Sequence, residues 1–330
     1  STLGSDFLLV MDGNTTAMDV YLQAPGVDLV TIATLADFLP LQNLAQAQMD
    51  LRLWTRLQDL EPHELFVDAH VNALRGNQPD AANIGFRFRQ QLQLVDTQWR
   101  AQAEITQLTR STTEYPDTQL ALNWSNSDGL SAFWINHLDL KKTRELLSDF
   151  SLPETLTDWL QRLSPSGELH DLVVGLNPQN PLRPTVGFSM QHMNSLRTQS
   201  IPGVFGLDGR VAMDAGQGLM DLRSERLALD FHRLFRLPLK FDEFNARSRF
   251  SYADSDAILV EFDELQISNS DASAEGRGWL EIPADGQPFL GLRVQYKEGR
   301  ASATSRYLPV GIMPVDTVVW LDSAIKKGEV

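Results

Sequence analysis

The chain predicts a mainly β, antiparallel fold with a few short helices, on three observations. Apolar residues recur at every second position, turn pairs containing glycine break the runs, and helix-like segments are scarce. Residues 84–95 show the alternation most clearly. Ile84, Phe86, Phe88, Gln90, Leu92 and Leu94 fall on one side, and Gly85, Arg87, Arg89, Gln91, Gln93 and Val95 on the other. Successive strand side chains point to opposite faces, so such a strand has one apolar and one wet face. Leu120, Leu122 and Trp124 repeat the pattern, as do Leu227, Leu229 and Phe231, and then Leu290, Leu292, Val294 and Tyr296. One-sided alternation belongs to antiparallel meanders, because a parallel sheet is buried on both faces. About 15 strands of ordinary length fit the chain. Asp128-Gly129, Asp208-Gly209, Asp285-Gly286 and Glu298-Gly299 are the expected turns between them.

Four segments read as helices. Leu41–Asp59 and Leu140–Phe150 carry helix-forming residues, and two shorter ones begin at Pro153 and Pro314. Proline suits the start of a helix, where its fixed φ helps and its missing N–H costs nothing. Glu154 and Asp316 add negative charge near the positive end of the helix dipole, and Lys326 and Lys327 add positive charge before Gly328. The two short helices look like copies. Leu152-Pro153 leads to Trp159-Leu160 and Gly167, and Met313-Pro314 leads to Trp320-Leu321 and Gly328, every position offset by 161. Residues 35–40 echo the run 147–153 as a weaker third copy. Repetition of this kind points to an elongated array of stacked units. Trp159 and Trp320 are expected to pack their helices onto the sheet.

Composition excludes several functions. Lys and Arg number 28 against 43 Asp and Glu, a net charge of −15. Nucleic acid is bound by a cationic surplus, so it is not an expected partner. The same balance disfavours tight docking on anionic lipid headgroups. With no cysteine there is no disulfide, thiolate zinc site or cysteine nucleophile. No run of 18 apolar residues occurs, so no transmembrane helix is expected. Ser1–Asp6 is neither a start methionine nor an export signal, and the chain reads as an excised piece of a longer protein.

Signals for catalysis are weak. His63-Glu64 lacks a second histidine four residues on; His63 and His70 could share a strand edge, and His170, His192 and His232 are scattered. The glycines at 203, 206 and 209 precede a strand and do not make a dinucleotide loop. Asp254-Ser255-Asp256 and Ser270-Asp271 lack the twelve-residue calcium loop and read as solvated acidic turns. Arg87 and Arg89 face away from the apolar stripe and read as solvated outer-face residues. No enzyme activity, cofactor or metal is expected.

The strands leave a large apolar face and too little helix to cover it. A closed barrel or two-sheet sandwich would cover the face with itself. A curled, open trough would leave it for an apolar ligand. Periodicity alone does not separate the two.

Three further runs supply a resemblance. Residues 201–209 (Ile-Pro-Gly-Val-Phe-Gly-Leu-Asp-Gly), Leu234-Phe235-Arg236-Leu237-Pro238-Leu239, and Arg306-Tyr307-Leu308-Pro309 through Trp320-Leu321-Asp322, Ala324-Ile325 and Gly328 keep a fixed order. Together they resemble the AsmA-like envelope proteins of Gram-negative bacteria, and within them the YhdP type, most strongly over residues 138–330. The resemblance implies an elongated, curled antiparallel β-groove, taco-like, with short helices at the repeat boundaries. It implies a first unit, residues 1–169, ending in the helical segment 138–163. A second unit, 170–330, would end in the helix 314–327, and the two would form one continuous groove. The implied function is a segment of a periplasm-spanning lipid transport protein, anchored in the inner membrane by a helix this chain lacks. It would shield phospholipid acyl chains on the way to the outer membrane, with envelope proteins meeting either end. Phe86, Phe88, Leu92, Leu94, Leu120, Leu122, Leu227, Leu229, Leu290, Leu292 and Val294 are the expected groove lining. The competing expectation is a structural or interaction module of the envelope with a closed β core. A carbohydrate-active β protein is disfavoured by the dispersion of the seven Trp.

Overall fold

In the computed structural model the described residues are 6–30, 44–125, 127, 129–177, 183–198, 201–231, 234–252, 257–283 and 289–325. The expectations for residues 35–40, Asp128, His232, 254–256, 285–286 and 326–330 lie outside them. The described residues form seventeen strands, three α-helices and one 3-10 helix, and the ladders are antiparallel.

The chain divides into two compact units. The first comprises Ser1–Leu138, Lys142–Leu156 and Val173–Pro181; the second comprises Asp139–Lys141, Thr157–Leu172 and Leu182–Val330. The strands of unit 1 are β1 (Leu8–Gly13), β2 (Ala17–Asp28), β3 (Leu44–Gln58), β4 (Glu61–Gly76), β5 (Ile84–Val95), β6 (Gln98–Arg110), β7 (Thr113–Glu114), β8 (Thr118–Ser125) and β9 (Gly129–Asp139). Each pairs with the next in chain order up to β6, which pairs with both β7 and β8, and β8 pairs with β9. Helices α1 (Leu140–Leu147) and α2 (Glu154–Leu163) follow, and the bounds of the units cut the end of β9, both helices and β10 (Ser166–Gly175). Unit 2 is a second meander: β11 (Thr185–Ser195), β12 (Gly203–Asp214), β13 (Gln217–Asp230), β14 (Leu239–Tyr252), β15 (Ile258–Ser268), β16 (Ala272–Ile282) and β17 (Phe289–Gly299). A 3-10 turn, Ala301–Arg306, and helix α3 (Val315–Ala324) complete it.

Strand β5 takes in the whole alternating run 84–95. The run 41–59 does not form the expected helix, because its residues 44–58 are β3. Leu, Gln, Ala and Arg favour helix intrinsically, but Met49, Leu51, Leu53, Thr55 and Leu57 alternate with Asp50, Arg52, Trp54 and Arg56 at period 2. Pairing with β2 and β4 overrides propensity here. Asp208-Gly209 is likewise not a turn. It lies inside β12 at a register shift, where the Asp208 carboxylate accepts from His192 N at 2.6 Å and Asp208 N donates to Ser224 Oγ at 2.9 Å. The real two-residue turns include Asp59-Leu60 and Ala215-Gly216, all four residues at positive φ, as hairpin turns matched to strand twist require.

Prolines 153 and 314 do open α2 and α3, with Leu156 N donating to Pro153 O and Val318 N to Pro314 O. Their tryptophans do not pack inward: Trp159 is 61% and Trp320 64% exposed.

Polar contacts help tie the connecting segments down. In unit 1, the Arg110 guanidinium donates Nε and Nη2 to the Asp149 carboxylate at 2.7 and 2.9 Å, and Ala82 N donates to the same carboxylate. Asp149 is 2% exposed. Gly76 lets this segment approach β4, since any Cβ there would collide with the Asp149 carbonyl. In unit 2, Asp271 accepts from Arg306 at 2.7 Å and from the Tyr307 hydroxyl at 3.2 Å, and Arg236 holds Asp322 of α3 through two hydrogen bonds.

Candidate functional site

Directly paired residues of antiparallel strands share a face, so the ladder registers sort every side chain. In unit 1, one row runs Leu53, Val67, Gln90, Ala103, Leu120, Ile135 across β3 to β9. The next is Leu65, Leu92, Ala101, Leu122, Phe133. Phe88 sits in a third with Leu51, Ala69 and Ile105. Leu94 begins a fourth with Trp99 and Trp124, whose rings stack at 6.1 Å. Phe86 pairs with Val71 on the same side of β5 as Phe88.

The opposite face of unit 1 is wet. Its rows include Glu64, Gln93, Arg100, Asn123 and Asp68, Arg89, Glu104, Gln119. Arg89 pairs with Glu104 at 3.6 Å, and Arg56 with Asp19 at 2.9 Å. Arg87 and Arg89 are exposed on that face, as the alternation predicts. One aromatic ladder interrupts it: Tyr21, Trp54 and Phe66, with ring centroids 5.0 and 5.4 Å apart.

Unit 2 sorts in the same way. One row runs Met213, Gly218, Phe250, Val260, Leu280, Leu290; the next Val211, Met220, Ser248, Phe262, Gly278, Leu292; the third Gly209, Leu222, Ala246, Leu265, Gly276, Val294. Leu229 pairs with Val204 and Leu239, and Leu227 with Phe241. The other face carries ion pairs, among them Arg249 with Asp263 at 2.8 Å and Lys297 with Glu275.

Burial separates these residues. Leu227 is enclosed at 1% exposure, while Leu290 and Leu292 are open at 58% and 48%. Phe86, Phe88, Leu92, Leu94, Leu120, Leu122, Leu229 and Val294 are half-buried. Of the sixteen buried apolar residues among those described, eight are alanines, so the large apolar side chains of these faces are mostly not sealed in. A closed sandwich core would enclose its Leu and Phe residues first. Ser248 is a polar member of the face in unit 2: it is fully buried between Met220 and Phe262, and its Oγ has no hydrogen-bond partner.

Several of these residues escaped the sequence reading, although the signal was present. Leu65, Val67, Ala69 and Val71 of β4 alternate at period 2 like the strands that were recognised. The small members, Ala101, Ala103, Gly218, Gly276 and Gly278, carry no hydropathy signal and are placed on the face only by register.

His170 lies 3.3 Å from Glu168, and His63 and His70 sit on β4 at different rows. Asp271, read as a solvated acid, is held by Arg306 and Tyr307. The Asp50 carboxyl is held below its usual range by hydrogen bonds from the Asn72 amide and Gly26 N, in that order, and this acid pins a bulge in β2. Hydrogen bonds from Arg236 lower Asp322 likewise.

A sequence model of a family described as "YhdP protein" matches residues 1–330. The chain is also similar to a curated protein of Escherichia coli (strain K12), the "Intermembrane phospholipid transporter YhdP". The two are 22% identical over 246 residues, 70% of this chain and 19% of that protein. No solved structure matches the chain.

Proposed function

The chain belongs to the YhdP family, and from that premise we propose that its apolar strand faces carry the acyl chains of phospholipid between two membranes. The observation that carries this reading is the state of those faces. They are wide, continuous in register across six or more strands, and lined by large apolar side chains left half-exposed or open. A stable protein covers such a surface or uses it. The name of the Escherichia coli relative supplies the ligand class.

The physical need is large. Exposing a diacyl lipid to water costs about 0.8 kcal/mol per methylene, so roughly 30 methylenes amount to more than 20 kcal/mol. An apolar trough removes most of that cost for the chains while the charged headgroup stays in water. Transit then calls for an even surface without deep wells, not for a specific site or a catalytic residue. Phe86, Phe88, Leu92, Leu94, Leu120 and Leu122 line the trough of unit 1 in this reading. Leu229, Leu290, Leu292 and Val294 line that of unit 2, with Leu227 as buried support. The paired ions of the opposite face keep it in solvent. The segment works in the periplasm as part of a longer, membrane-anchored protein.

The test is lipid content. The chain purified without detergent is extracted and analysed by mass spectrometry. Bound phospholipid is the expected result; a lipid-free, well-folded chain would favour a closed structural module and contradict the proposal.

A further inference from the structure

The floor of unit 2 holds a feature that the hydropathy pattern does not require. Gly218 of β13 faces Phe250 of β14 in the apolar row that leads through Val260 and Leu280 to Leu290. The Phe250 ring lies over this glycine. A Cβ built on Gly218 would fall against the ring edge, 2.6 Å from Cε1, and 2.7 Å from the Ala212 carbonyl oxygen. Two residues away the arrangement recurs: a Cβ on Gly216 would stand 3.2 Å from Tyr252 Cζ. Two other glycines of the same face have no ring above them. Gly278 and Gly276 lie opposite a register shift in β15, and a Cβ on either would meet a neighbouring backbone carbonyl. Among the described glycines of this face, 218 and 216 have a ring in the space above them; on the opposite face the Trp279 ring covers Gly291 in the same way.

An aromatic laid across a strand glycine covers the exposed backbone and stabilises the pair. On a lipid-bearing face it has a second consequence, since strand side chains otherwise stand roughly perpendicular to the sheet. A Phe250 ring standing upright would project into the path of an acyl chain; folded into the glycine slot, it becomes floor. We propose that Gly218 is a positioning residue for lipid passage, acting through Phe250 by keeping that ring flat. This rests on the phospholipid reading above and goes beyond it by naming the pair that keeps the floor of unit 2 level.

The experiment uses the full-length protein in cells, with a photoreactive residue at Leu290 and, separately, at Phe88, and radiolabelled phospholipid as the captured ligand. The unsubstituted background is expected to capture lipid at both positions. Gly218→Ala is expected to lower capture at Leu290 by about tenfold, the equivalent of ~1.4 kcal/mol. Phe250→Ala alone is expected to lower capture less than Gly218→Ala does, and Gly218→Ala/Phe250→Ala should restore capture to the level of Phe250→Ala, because no ring remains to be lifted. Equal capture by Gly218→Ala and the parent would overturn the proposal while leaving the lipid reading standing. Failure of the double variant to restore capture would overturn it too, by showing that Gly218→Ala acts through the backbone. Absence of capture at both positions in the parent would remove the lipid reading, and this inference with it.

Discussion

The two units present the same kind of face on different floors. Unit 1 places alanines, Ala69, Ala101 and Ala103, among its Leu and Phe residues, whereas unit 2 places Gly209, Gly218, Gly276 and Gly278 at comparable points. Their anchors differ as well. Asp149 of unit 1 is 2% exposed and locked by a two-pronged Arg110 contact, while Arg306, which holds Asp271 in unit 2, reaches well into solvent. The difference teaches that the alternation of strand side chains defines the face, while small residues and polar anchors set its local relief and rigidity. Alanine leaves a strand regular. Glycine permits bulges and lets aromatic rings lie down, so unit 2 depends on rings and backbone kinks for its floor.

The largest effect expected is from charge on the shared face. Leu122→Asp in unit 1 or Leu292→Asp in unit 2 should abolish lipid capture, while Gln93→Asp and Arg293→Asp on the wet faces should not. Because Leu122 is half-buried and Leu292 open, thermal unfolding should show a loss of only about 1–2 kcal/mol. A loss of twice that would mean a sealed core. The anchors come next. Asp149→Ala removes a buried acceptor from Arg110 and Ala82, and denaturant unfolding should show a loss of about 2–3 kcal/mol, reduced from the fully buried case because Arg110 reaches solvent. Asp271→Ala should cost less, about 1–2 kcal/mol. Equal losses would erase the distinction between the units.

Ser248→Ala should stabilise unit 2 by about 1 kcal/mol, since it removes a buried hydroxyl that lacks a partner. A destabilising result would assign that hydroxyl a contact. Acid titration gives the smallest effect. The folded Asp50 carboxyl lies below its ordinary value, so its contribution is present above about pH 4 and is lost as pH falls through the folded value. Asp50→Asn should flatten the stability profile in that acid window and lower stability at neutral pH by the contribution the carboxylate makes there.

Much of this was legible in the sequence where one physical signal dominated. Period-2 alternation gave β5 its limits and placed Leu290, Leu292 and Val294 on one face, and the proline rule located α2 and α3. The errors arose where signals competed. In β3, helix-forming composition opposed a period-2 pattern, and cross-strand pairing decided. Asp208-Gly209 has turn chemistry, yet pairing on both sides holds it inside β12, opposite irregularities in β11 and β13. Leu60 and Ala215 rarely adopt positive φ, so the turns they make left no mark in composition. The open Trp159 and Trp320 could not be foreseen, because periodicity describes a helix face and not whether anything covers it. Register across the strands is set by turns and bulges, so glycine and alanine joined the face only once the ladders were known.

Site-directed capture at neighbouring residues tests the central claim most directly. A photoreactive residue is placed at Leu292 and, separately, at Arg293 of the full-length protein in cells labelled for phospholipid. Capture at Leu292 and not at Arg293 is the predicted result, because the two residues lie on opposite faces of one strand. Capture at neither, with Phe88 and Leu229 equally silent, would mean that the apolar faces are closed to lipid and would contradict the account.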